Sequence, residues 1–434
     1  MTQGAKYFPV FFILLIINFF CAVAQEPRNL SAEQAVRISY SGASSYYFTE
    51  RTDLRRYDNG TYIGLVSREV RAFIAPESVT DSKNLASAGA LQNNAYSDAN
   101  NYGGNSYDGN FYIVEKTVRN MTGVAKSVHD AIPARFTITA GGEFVMYEDN
   151  GYPSFRSFPA FSDKHIKLGE SWSANAVRTV DPLNKGVFTR IPMYVNYTYI
   201  GDEMRDNEAV YVLRAQWATR YGNAIIKKDG DDMPRFDEHG DVALLSVSGS
   251  HNATMHISKA TGRVIVVRDS VDETYVYADG KRIQFKGTIS LFTEYPPSVE
   301  KEKIIPAVER VAHVTYESTA SGLKLTIENL QFKADSAELL SGEASRLDEI
   351  ASSLKVASAS QFLVEGHTAA TGNENGEMTL SLERAHTIAT ELAKRGIDAD
   401  KFICKGSGAH KPIASNETQE GRAKNRRVEI TILE

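Results

Sequence analysis

Cysteine is nearly absent from this chain: Cys21 and Cys404 are the only two in 434 residues. The first lies in an expected leader, so the mature chain can hold no internal disulfide and must be stabilised by its packed cores. Cys404 falls in an apolar strand pattern, Lys401-Phe-Ile-Cys-Lys405, and reads as a buried structural thiol. Charge of one sign is lacking too. A net charge of −6 gives no basic field for nucleic acid, so no nucleic-acid partner is expected. Catalytic patterns are missing: there is no phosphate-cradling glycine loop, no H-E-x-x-H helix and no Ser-His-Asp arrangement. The acidic stretch Asp229 to Asp241 breaks EF-hand spacing with Met233 and Pro234. His251 and His256, five apart on a strand pattern, face opposite sides and make a poor metal pair. The sequence therefore predicts no enzyme, no cofactor and no metal.

What is present begins with a leader. Lys6, the apolar run Phe8 to Phe20 and Ala22-Val-Ala24 form the charged, apolar and cleavage regions of a signal peptide over 1–24. An uncleaved anchor is disfavoured by Pro9 and Asn18, and lipidation at Cys21 by the bulky Phe20 before it. Residues 25–296 read as a β-rich region of one or two domains, a sandwich or half-barrel. Runs such as Ile191 to Ile200 and Tyr211 to Tyr221 alternate with period two, and Asp279-Gly280 marks a hairpin turn. Helical periodicity is confined to a short segment at Ser31 to Ser39, and Asn93 to Asn110 reads as a solvated Asn/Gly/Tyr loop. A transmembrane barrel is the rival, opposed by the charged segment Arg268 to Glu273.

Pro296-Pro297 and Glu300-Lys-Glu-Lys303 open an expected linker over 297–319, after which strands alternate with helices. Residues 320–434 give β-α-β-α-β-α-β, an α+β domain with helices on one face of a small sheet. The ordered signals are Phe332-x-x-Asp-Ser-Ala-Glu-Leu339, Glu365-Gly-His-Thr368, Leu380-Ser-x-x-Arg-Ala385 and Gly421-Arg-Ala-x-Asn-Arg-Arg-Val-Glu-Ile430. Together they resemble the OmpA-like C-terminal domain, the peptidoglycan-associated module of Pal lipoproteins and MotB-type stator proteins. The resemblance implies non-covalent attachment of an outer-membrane-associated periplasmic protein to the peptidoglycan stem peptide, alongside outer-membrane or periplasmic protein partners. It also implies a site: Arg384, assisted by Arg426, Arg427 and Asn425, beside Gly366 and Thr368. Two positions depart from the pattern. Ala369 stands where the family carries the ligand-binding aspartate, and Glu377 where it commonly has asparagine.

Stepping about 100° per residue from Leu380 puts Arg384 at about 40°, inside the apolar arc of its helix. A guanidinium there must be paired or reach water, so its partner is a ligand carboxylate or an internal acid: Glu377, Glu374 or Asp335. Two further functions stay open: a degenerate module retained for structure or protein interaction, and a lipid- or ligand-carrying β domain tethered by the tail.

Overall fold

The computed structural model describes residues 34–77, 104–119, 122–126, 131–183, 185–222, 240, 242–319, 321–333 and 335–434. The expected signal peptide with Cys21, residues 93–103 and nearly all of the acidic stretch lie outside them.

Thirteen strands form one curled sheet: β1 (Tyr46–Asp58), β2 (Thr61–Pro76), β3 (Gly104–Arg119), β4 (Thr122–Lys126), β5 (Ile132–Thr139), β6 (Phe144–Glu148), β7 (Phe155–Arg156), β8 (Ser171–Val180), β9 (Thr189–Arg205), β10 (Glu208–Gly222), β11 (Leu244–Ser258), β12 (Val264–Tyr277) and β13 (Arg282–Glu294). Twelve follow the path β6-β5-β3-β2-β1-β13-β12-β11-β10-β9-β8-β7, and β4 pairs with β3. The two ends approach each other: Phe161 N donates to Gly141 O at 2.7 Å and Phe144 N to Ser157 Oγ at 3.0 Å. This is a nearly closed barrel-like sheet, the half-barrel of the two expected forms.

Alternation decides which face turns in. Val195, Tyr197, Leu213, Ala215, Met255 and Ile257 are fully buried inside. Val195, Leu213, Met255 and Ile257 each contribute about 1.5–3 kcal/mol on leaving water. Arg214, Gln216, Ser248, Asn252, Thr254 and Arg268 face out and are exposed. That is the reverse of a transmembrane barrel, whose outward band is apolar and whose lumen is polar.

Three expectations change here. Residues 34–39 form no helix; Val36 instead makes an isolated bridge to Ile166. Residues 104–110, expected as loop, belong to β3 with Tyr107 fully buried. Their glycines serve close packing, since a Cβ at Gly109 would lie 2.4 Å from Ile74 Cδ1. The span expected as a linker contains α1 (Lys301–Val308) and β14 (Val314–Thr319). Ile304, Val308 and Val311 are buried in the C-terminal core, which is why this stretch folds.

The rest of that unit is β15 (Gly322–Glu328), α2 (Ala344–Leu354), β16 (Phe362–Gly366), α3 (Glu374–Lys394), β17 (Phe402–Gly406), α4 (Gln419–Asn425) and β18 (Arg427–Leu433). Its five strands run β14-β15-β18-β16-β17, with β16 and β17 parallel. Leu347, Ile350 and Leu354 of α2 and Ile388 and Leu392 of α3 pack with Phe362, Ile430 and Ile432. Residues from the other side of the sheet, Leu363, Ile403 and Leu433, meet Tyr47, Phe73 and Tyr112 of the large sheet. There the Tyr47 hydroxyl donates to Leu433 O at 2.6 Å and accepts from Gln361 N at 3.2 Å.

Candidate functional site

The ends of β16 and α3 meet through glycine. A Cβ at Gly366 would lie 2.0 Å from Ser381 O, so only glycine lets the strand end this close to the helix. Beyond it the chain turns into a loop, fixed by Thr368 N donating to Gly408 O at 2.8 Å. Ala369 is buried, and Ala370 N donates to Asn416 Oδ1 at 3.1 Å. Glu377 closes the loop from the first turn of α3. Its Oε1 accepts from Thr371 N, Thr371 Oγ1 at 2.8 Å and Gly372 N at 3.0 Å. Burial pushes its carboxyl pKa up, but these hydrogen bonds outweigh that and hold it below its ordinary value.

Beside the loop lies a cleft of about 320 Å³, lined by Phe332, Asp335, His367, Arg384, Arg426 and Arg427 among others. Arg384 is buried to 9% exposure, as its helix phase requires. Its Nε donates to Ser336 O at 3.1 Å and its guanidinium lies 4.8 Å from the Phe332 ring centroid. Among the described residues no carboxylate pairs with it. Glu377 is engaged by the loop, and Glu374 pairs with His410 at 2.8 Å. Asp335 acts on it only through its field. Burial, then the like charge of Arg426, lowers the Arg384 pKa, with Asp335 opposing. Arg426 is exposed and also forms no ion pair among the described residues.

Arg427 and Asn425 are committed internally. Arg427 Nε donates to Glu429 Oε1 at 2.7 Å. Asn425 Oδ1 accepts from Ile413 N and Ala414 N, each at 2.9 Å, and so holds the loop before α4. Thr368 Oγ1 is buried and has no hydrogen-bond partner among the described residues. Behind the cleft, Glu365, His367 and Glu429 bring ligand atoms within 4.8 Å of one another, a metal-like cluster. Cations already surround those carboxylates: Lys411 at 2.9 Å and Lys405 at 3.4 Å from Glu365, and Arg427 and Lys324 at 2.7 and 3.4 Å from Glu429. Burial raises the Glu365 pKa, but Lys405, Ser407 and Lys411 pull it to about 2. Such a set suits internal ion pairing rather than a divalent ion.

The sequence reading passed over a second cluster, inside the barrel. Glu273 accepts from Arg178 at 2.6 Å, Thr219 and Tyr275 at 2.7 Å each, and His251 Nε2 at 2.9 Å. His251 Nδ1 lies 2.6 Å from Asp269, and its ring stacks on Trp217 at 4.3 Å and 9°. Its signal was strand phase: these polar residues sit on the inward register of β8, β10, β11 and β12 among apolar neighbours.

Comparison with known proteins locates the C-terminal unit. A family model described as "OmpA family" matches residues 331–426. The chain is 41% identical over 104 residues to "Probable lipoprotein YiaD" of Escherichia coli, 24% of this chain and 48% of that one. It is 40% identical over 103 residues to "Peptidoglycan-binding protein ArfA" of Mycobacterium tuberculosis, 24% of this chain and 32% of that one. To "Outer-membrane lipoprotein YfiB" of Pseudomonas aeruginosa it is 32% identical over 119 residues, 26% of this chain and 71% of that protein. The chain belongs to the OmpA family. Of the first two relatives it spans less than half their length. The family match lies in the C-terminal unit, and the β-rich N-terminal region is unmatched. In this OmpA-family domain Arg384 lines the cleft, Ala369 is buried in the adjoining loop, and Glu377 closes that loop.

Proposed function

We propose that this is an exported protein, resident in the periplasm at the outer membrane, whose OmpA-family domain associates non-covalently with peptidoglycan. The observation that carries this reading is Arg384: a buried guanidinium that lines the cleft and is paired with no carboxylate among the described residues. A carboxylate at the diamino-acid end of a stem peptide satisfies it with a charge-assisted pair, and Arg426 stands by as a second donor. Asp335 is the sole carboxylate lining that cleft among the described residues. It receives the ligand ammonium that the family's aspartate, replaced here by Ala369, would have taken. The β-rich region is then the part positioned by this attachment, and the protein acts by binding rather than by catalysis.

Sedimentation of the full chain with purified peptidoglycan tests this. The unaltered protein pellets, Arg384→Ala stays in the supernatant, and Asp335→Asn pellets at least tenfold less. If the unaltered chain and Arg384→Ala pellet equally, wall attachment at this cleft is wrong. Ala369 favours a second reading, a degenerate domain kept for structure or protein contact. Under that reading the unaltered chain does not pellet and Ala369→Asp creates binding.

A further inference from the structure

The barrel holds a cavity with an unusual wall. About 80 Å³ of space is lined by seven phenylalanines, two tyrosines, aliphatic side chains and two prolines, and by one charged residue, Arg263. Arg263 is buried to 5% exposure. It lies just before β12, where Gly262 turns the chain with φ 70°, and a Cβ there would lie 2.0 Å from Ser39 O. That close turn fixes the arginine at the cavity.

Its partners are neutral. One terminal nitrogen donates to Thr293 Oγ1 at 2.8 Å, and the guanidinium lies 3.8 Å from the Tyr295 ring centroid. Its Nε is buried and has no hydrogen-bond partner among the described residues. Among the described residues no carboxylate lines the cavity and none pairs with Arg263. A permanently charged side chain in an aromatic pocket is costly unless an anion completes it. The hydroxyl and the ring offer no negative charge.

We propose that this cavity binds a small amphipathic anion, an apolar tail carrying one carboxylate, with the tail among the phenylalanine rings and the carboxylate on Arg263. The chemistry follows from the wall: mostly apolar, with the hydroxyls of Tyr40, Tyr46 and Thr293, one cation in Arg263, and among the described residues no acid to admit an amine. Size follows from the volume. At about 10–15 Å³ per water-sized sphere, the space accepts a tail of about six heavy atoms. Carrying such a ligand is a function of the β-rich region, independent of the wall-binding cleft.

The test uses the full chain and three probes of six carbons each: hexanoate, 1-hexanol and hexylammonium, each followed by calorimetric titration and saturation-transfer NMR. Hexanoate binds with one site per chain, hexanol at least tenfold more weakly, and hexylammonium not at all. Arg263→Met removes the preference, dropping hexanoate at least tenfold while leaving hexanol unchanged. Equal binding of acid and alcohol, no hexanoate binding, or a preference that survives in folded Arg263→Met overturns the proposal. Should Arg263→Met not fold, judged by circular dichroism, the ranking of the three probes on the unaltered chain decides alone. Peptidoglycan sedimentation by the same preparation reports separately on the cleft.

Discussion

Substituting Glu273→Gln removes the charge at the centre of the buried barrel cluster while keeping the side chain's shape. The carboxylate is 2% exposed and accepts four hydrogen bonds, from Arg178, Thr219, His251 and Tyr275. The amide leaves Arg178 buried without its counter-charge and turns an NH2 toward one of the former donors. Breaking a buried pair in this way costs about 3–5 kcal/mol. At about 2–4 °C per kcal/mol for a unit of this size, the midpoint falls by about 6–20 °C. The assay is tryptophan fluorescence during heating, because both tryptophans, Trp172 and Trp217, lie in the barrel. Replacing both partners, Arg178→Met with Glu273→Leu, costs less than Glu273→Gln alone, since no buried charge is stranded. The pH dependence has two limbs. Burial raises the Glu273 pKa, but Arg178 and His251 bring it well below its ordinary 4.5, so its stabilisation is complete above 4.5 and lost as pH falls through the lowered value. Burial depresses the His251 pKa, but Asp269 and Glu273 raise it above 6.5, so its contribution is complete below 6.5 and lost as pH rises through the raised value. Stability from this pair therefore peaks between pH 4.5 and 6.5. A midpoint shift under about 2 °C for Glu273→Gln, below even the smallest cost in that conversion, refutes the reasoning.

Gly366→Ala forces a methyl group against Ser381 O and destabilises the OmpA-family domain by about 1–3 kcal/mol, read from urea unfolding by the helical dichroism signal. Glu377→Ala frees the amides of Thr371 and Gly372, so hydrogen exchange at those two residues rises while the α2 core stays protected. Tyr47→Phe deletes the hydroxyl shared by Leu433 and Gln361 and weakens the contact between the two units by about 1 kcal/mol. Limited proteolysis between Glu294 and Lys301 should then quicken, and an unchanged rate would count against that contact.

Legibility in the sequence followed the contrast between neighbouring side chains. β9 and β10 were read correctly because their inward positions are apolar at every second residue over long stretches, and α2 and α3 because their apolar residues recur at helical spacing even with Arg384 inside the α3 stripe. β1 and β2 escaped notice. The inward register of β1 includes Glu50 and Thr52, which dilutes the alternation, although Asn59-Gly60 marks the turn between them. α1 was hidden by Pro306, a residue type that usually breaks a helix but here lies in the last turn of a short one. At the candidate site, the burial of Arg384 was legible from helix phase. Which acid it would meet was not, because that depends on Glu377 being drawn to the loop and Glu374 to His410, contacts set by three-dimensional closure. The barrel cluster was illegible pairwise, since its residues come from four strands.

The Tyr47–Leu433 contact changes what attachment means for the rest of the molecule. A domain on a loose tether lets its passenger tumble, so every face is offered in turn. Here the first described strand of the barrel is seated on the last strand of the OmpA-family domain, with Phe73 and Tyr112 beside it. Once one unit is held, the other is held at a set angle. Under the proposed wall attachment the barrel then offers its surroundings one fixed aspect, with a front and a back.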